Sequence, residues 1–252
     1  MSWPQSFNVG DGAGVVGRLS LHIALALMTL SVVSRAVAVG RPPVGNLWEY
    51  TVALSWGMLL FTAIFEAAFK ERALGIVMLP IAAAMMTVTL VYFPSGIKPL
   101  VPALQANRIL GLHVTTMMLA YSALSVSFGS ALLYLAQAGA SGRRFARLPD
   151  AETLGEAGYW SVLVGFPLLT LGIALGAYWA NSAWGRYWGW DPKETSALFT
   201  WFIYAGYLHA HGLRGWEGKR AAWLLVLAFG AVMFTYYAVN FVFAGLHSYA
   251  GV

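Results

Sequence analysis

Seven stretches of this chain are too long and too apolar to fold as anything but membrane spans. They cover residues 18–38, 48–69, 74–93, 106–137, 159–180, 194–213 and 221–246, and a helix needs about 20 apolar residues to cross roughly 30 Å of hydrocarbon. A backbone in lipid must satisfy its own amides and carbonyls, so runs of this kind predict helices. Of the 252 residues, 59% are hydrophobic and only 10% charged, against about 25% charged in soluble domains. Little chain remains for a separate globular unit. The expected fold is all-α and integral to the membrane: a polytopic bundle of about seven transmembrane helices, one domain over residues 1–252. Pro80 and Pro167 fall inside runs, where a missing amide donor bends a helix without excluding it.

The absence of cysteine excludes disulfides, thiolate metal sites and thiol-redox catalysis. The first eighteen residues, MSWPQSFNVGDGAGVVGR, have no basic segment and apolar core of a cleaved signal, so the first apolar run is expected to stay in the membrane. The net charge of +5 is dispersed over loops and points to no nucleic-acid partner. A cytoplasmic N-terminus puts Arg18, Lys70, Arg72, Arg143, Arg144, Arg147, Arg214, Lys219 and Arg220 inside, and leaves Arg35, Arg41, Lys98, Arg108, Arg186 and Lys193 outside. Nine against six favours that orientation. Four of the outer six lie either before His113 (Lys98 and Arg108) or in one aromatic feature (Arg186 and Lys193), as if recruited by an anion.

That feature is "WGRYWGWDPKET", residues 184–195. Tryptophan and tyrosine gather at membrane interfaces, which accounts for part of the eleven tryptophans. An interfacial belt is scattered over helix ends, however. Here Trp179, Trp184, Tyr187, Trp188 and Trp190 lie within twelve positions, interleaved with Gly185, Gly189 and Arg186. Such a loop, 179–193, offers a shelf on which a flat ligand stacks, with Arg186 or Lys193 set to engage carboxylates. Asp191, Pro192, Lys193 and Glu194 read as N-cap, N1, N2 and N3 of the sixth helix.

The histidines sort by depth. His113 opens the fourth span and His247 closes the seventh, both on the tryptophan-loop side; His209 lies about fifteen residues into the sixth span, with His211 and His22 toward the inner surface. A histidine at a helix end is ordinarily an interfacial polar residue, and His22 and His211 are read that way. His209 is deeper, where an ionisable group is costly, and stands between that reading and a ligand. For His113 and His247 the shared face with the aromatic loop favours ligation. Neutral imidazole is the commonest protein metal ligand, and two imidazoles can hold a haem iron on both axial sides.

These residues together resemble a known family. "WGRYWGWDPKET" is similar to the tryptophan-rich signature of haem-handling proteins of cytochrome c maturation. The Tyr207-Leu208-His209 sequence, the Leu246-to-Tyr249 segment (Leu-His-Ser-Tyr) and "GRPPVGNLWEYTVALSW" at 40–56 resemble the CcsA/ResC branch, with Trp48 where tyrosine is usual. The resemblance implies that the chain, with a CcsB/ResB-type membrane subunit, passes haem b across the bilayer and presents it at an outer site. There it is joined to the Cys-X-X-Cys-His motif of apocytochrome c, making the chain a component of a membrane cytochrome c synthase. No catalytic side chain is assigned, since the thiols belong to the apocytochrome. By position in the family, His113 and His247 match the outer axial ligands, and His209 matches a ligand of an inner haem whose second histidine comes from the partner. Trp184, Arg186, Tyr187, Trp188, Trp190 and Lys193 match the outer haem surface.

The resemblance implies a cell membrane or thylakoid-type membrane, with the active site on the outer face. Against many members, the sequence is expected to lack an additional first span and a fused partner domain, and the inner site is then expected to be incomplete on this chain alone. Three rivals exist: a haem-delivery protein loading a chaperone, disfavoured by the Pro-Lys-Glu-Thr continuation; a bis-histidine electron-transfer cytochrome, which needs no tryptophan shelf; and a transporter, disfavoured by the lack of interrupted half-repeats.

Overall fold

The computed structural model describes residues 12–70, 72–97, 108–138, 144–145, 148–243 and 245. Seven long helices follow one another: α1 Gly12–Val39, α2 Leu47–Phe69, α3 Leu74–Tyr92, α4 Arg108–Gln137, α5 Ala151–Trp184, α6 Pro192–Arg214 and α7 Lys219–Met233. A π-helical turn, Phe234–Ala238, and a last turn α8, Val239–Val242, extend α7. The described residues contain no β-strand. Six of the long helices, all but α6, are apolar and long enough to cross a membrane, α7 when taken together with its π-turn as Lys219–Ala238. Helix α6 spans 23 residues but carries Lys193, Glu194, Thr195 and Ser196 at its start and His209, His211 and Arg214 toward its end, which lowers its hydropathy. The chain is a multi-pass helical membrane protein.

Helix ends follow local chemistry. Asp150 caps α5 by accepting the Thr153 amide at 2.8 Å, so α5 starts eight residues before the apolar run at 159. Its first two turns, with Glu152 and Glu156, are too polar to count as a span. Its far end runs through Trp184 and stops at Gly185, whose φ of 73° suits glycine. Residues 179–184 of the expected loop are therefore helical, and the loop proper is 185–191. Pro80 and Pro167 lie within continuous helices.

Helices α4 and α5 form the most intimate pair. Gly158, Gly165 and Gly172 recur every seventh residue along α5. A Cβ would lie 3.5 Å from Ser130 Cβ at Gly158, 2.6 Å from Leu124 Cγ at Gly165 and 2.5 Å from Met117 Sδ at Gly172. Small residues let membrane helices approach closely where no hydrophobic force drives association. Hydroxyl contacts add to the packing: Thr51 with Tyr236 and Thr200 with Thr235, both at 3.2 Å. Such interhelical bonds contribute only about 0.6 kcal/mol each, so the glycine seam dominates and fixes how α4 and α5 face each other.

Candidate functional site

Five helices converge at one end of the bundle: the starts of α2, α4 and α6, the end of α5 and the π-turn after α7. Between them opens a cleft with about 1020 Å³ of empty space counted out to its mouth. Its wall includes Tyr50, His113, Tyr121, Trp179, Trp188, Lys193, Glu194 and Tyr236. An apolar, aromatic lining with a few polar groups is the usual composition of small-molecule and cofactor sites.

His113 is held by α5. Its Nδ1 lies 2.7 Å from the Gly172 carbonyl oxygen. A carbonyl only accepts, so Nδ1 carries the hydrogen, and the neutral form of the ring then has its lone pair on Nε2. This arrangement, a second ring nitrogen bonded to a carbonyl, orients metal-ligating histidines. The imidazole is stacked on Trp179 with centroids 6.4 Å apart and planes 6° from parallel. Gly176, one turn after Gly172, leaves the ring its space: a Cβ there would lie 2.6 Å from His113 Cε1.

The tryptophans divide among different tasks. Trp179 is 1% exposed and is a wall of the cleft; Trp184 packs edge-on against it at 4.7 Å. Trp188 lines the cleft. Trp190 turns outward, 69% exposed, with its ring perpendicular to that of Trp188 at 5.8 Å. Tyr187 is exposed and near Tyr178, at 6.4 Å. Arg186 lies over Gly189, where a Cβ would come 2.6 Å from its Nε. Lys193 faces the cleft.

The start of α6 forms as its sequence predicts, with a capping box and Pro192 in the first turn. Gly245 packs against this start, since a Cβ there would be 2.6 Å from Asp191 Oδ1 and 3.1 Å from Pro192 Cδ. His247 lies outside the described residues, but the chain two residues before it is seated beside the loop.

His209 is not part of this cleft. It lies seventeen residues after Pro192, about 26 Å along the axis, on an exposed stripe of α6 with Phe199, Phe202, Gly206 and Leu213. His211 stacks on Tyr159 at 4.2 Å. His22 is exposed, with Nδ1 2.8 Å from the Arg18 carbonyl. Among the described residues no cluster of three or more His, Asp or Glu could hold a metal ion.

Three features are not evident from motif reading. Glu49, 1% exposed, bonds Arg35 Nε at 2.9 Å and Arg41 at 2.8 Å and accepts the Gly45 amide at 2.7 Å. It thus binds two arginines and braces the start of α2. The π-turn places neighbours Thr235 and Tyr236 on the same cleft wall; such turns are frequent at functional sites. Gly172 and Gly176 build the seat of His113; Gly172 had a signal in the seven-residue glycine spacing, and Gly176, one turn further on, lies outside it.

A multi-pass helical membrane protein with a carbonyl-oriented histidine in an aromatic cleft is the class that this fold and site define. The chain belongs to the cytochrome c assembly protein family, whose sequence model matches residues 44–247. It is 39% identical over 267 residues to the cytochrome c biogenesis protein CcsA of Guillardia theta, covering 96% of this chain and 86% of that one. CcsA of Gloeobacter violaceus is 35% identical over 303 residues, covering 98% and 87%; CcsA of Porphyra purpurea is 37% identical over 295 residues, covering 99% and 90%. The family places the chain in cytochrome c maturation, a process that handles haem.

Proposed function

We propose that the cleft presents haem b, as cargo, for attachment to apocytochrome c. The observation that carries this reading is His113: its hydrogen is directed to the Gly172 carbonyl, its ring is backed by Trp179, and it borders a cleft also lined by Trp188 and Lys193. The donor set fits the cargo. An imidazole with its lone pair on Nε2 suits haem iron, flat indoles suit a porphyrin face, and Lys193 at the wall suits a propionate. Haem supplies the vinyl groups on which thioethers form; the chain's residues orient the macrocycle, hold iron and exclude water, the usual division between cofactor and protein. His247 is the second axial ligand in this reading, supported by the packing of Gly245 on Asp191. Lack of cysteine suits a holder that must not react with its own cargo.

His209 serves a second, inner haem whose other ligand comes from a CcsB/ResB-type subunit. An ionisable group on an exposed membrane stripe is costly and is expected to find a partner. An internal His22–His209 pair is less well supported, because α1 packs on α2 and α3, and α6 on α5 and α7. The cleft faces the outer side of the membrane in this reading, following the loop cations. Reconstitution of the chain with its partner subunit, haem and an apocytochrome c bearing Cys-X-X-Cys-His tests the proposal: covalent, haem-staining product is expected with the wild type, and none with His113→Ala.

A further inference from the structure

The turn between α5 and α6 makes one more bond than a helix start requires. The capping box needs Asp191 to accept an amide of the first turn, here Lys193 at 3.0 Å, and Glu194 to accept the Asp191 amide, here through Oε2 at 3.1 Å. The same Oε2 also accepts the Gly189 amide, at 2.8 Å. One carboxylate oxygen therefore grips the backbone on both sides of Trp190. Trp190 has a φ of 56°, a left-handed conformation that a bulky L-residue keeps only where its surroundings hold it. The consequence is directional. Trp188 lines the cleft beside His113, while Trp190 points outward with its ring at 90° to that of Trp188.

We propose that Glu194 is a positioning residue for the haem site: by clamping the amides of Gly189 and Asp191 it fixes Trp190 in the left-handed conformation and turns Trp188 into the cleft. The inference rests on the haem reading above and deepens it. What the clamp uses is reach, since two amides must meet one oxygen; negative charge is secondary.

The test uses the full chain purified with haem, comparing Glu194→Gln, Glu194→Asp and Glu194→Ala with the wild type. The readouts are haem per polypeptide after gel filtration and the ferric and ferrous absorption spectra, with helix content followed by circular dichroism. Glutamine offers an oxygen at the same reach and keeps wild-type occupancy and spectrum. Aspartate is one methylene short; it and alanine lower haem retention by roughly five- to thirty-fold, the fold-change for losing one or two hydrogen bonds, and shift the Soret band with helix content unchanged. Aspartate keeps an acid in the first helical turn, so it carries the test if the alanine variant does not accumulate. Wild-type occupancy and spectrum in Glu194→Asp would overturn the proposal, as would a Glu194→Gln variant as impaired as alanine. His113→Ala run in parallel separates the two claims: haem loss there with intact Glu194→Asp refutes only the clamp, whereas full haem retention there refutes the site itself.

Discussion

The His113 ring and the α-carbon of Gly176 face each other so closely that no methyl group fits between them. A Cβ at Gly176 would stand 2.6 Å from His113 Cε1 and 2.8 Å from Nδ1, the atom that bonds Gly172. Alanine at 176 must therefore displace the ring from its carbonyl or shift α5. Overpacking of this sort costs about 1–3 kcal/mol. Gly176→Ala is expected to fold with stability lowered by about that amount and to weaken haem retention, while Gly111→Ala, on α4 with nothing within 4 Å of the added carbon, retains haem normally. Haem titration of the two purified variants checks this, and equal retention would contradict the seat described for His113.

The aromatic residues should be unequal in their effects. Trp188 faces the cleft and Trp190 faces away, so Trp188→Leu should lose a stacking contact of about 0.5–1.5 kcal/mol, beyond any loss of area. Trp190→Leu should lose less, and Trp184→Leu should act through Trp179, against which it packs. Haem occupancy of the three single variants orders them; equal losses at 188 and 190 would mean that the porphyrin extends beyond the cleft.

Removing Glu49 should damage stability rather than chemistry. Its carboxylate joins Arg35 and Arg41 with its side chain fully buried, and breaking a buried pair from one side costs about 3–5 kcal/mol. Glu49→Ala should lower the midpoint of thermal unfolding in detergent far more than Arg41→Ala, because it strands two cations rather than one bond.

The helices were legible in the sequence because lipid leaves the backbone few alternatives; α2 and α3 end within a residue or so of their apolar runs. The start of α5 was not, since its first turns are polar and owe their shape to the Asp150 cap. Histidine depth put His113 beside the tryptophan loop, and the structure brings the two to one cleft. The sequence predicts one shelf over the loop, yet the backbone at Trp190 reverses and parts Trp188 from Trp190. A positive φ in a tryptophan depends on bonds from Glu194, and no local propensity predicts it. In the sequence Arg35 and Arg41 look like unpaired loop cations, because their common partner, Glu49, becomes evident only once α1 and α2 pack.

His209 gives a prediction about composition of the complex. The chain alone should hold at most one stable haem, and co-expression with a CcsB/ResB-type subunit should add a second that His209→Ala removes and His22→Ala leaves in place. Two bis-histidine haems in the isolated chain, one of them lost with His22, would show an internal site instead.

The most direct test of the central claim is the optical spectrum of the purified chain, recorded oxidised and reduced, for the wild type and for His113→Ala and His247→Ala. The account predicts a low-spin, six-coordinate haem in the wild type, with either substitution lowering bound haem or leaving it five-coordinate and readily oxidised. An unchanged low-spin spectrum and full haem content in both variants would contradict it.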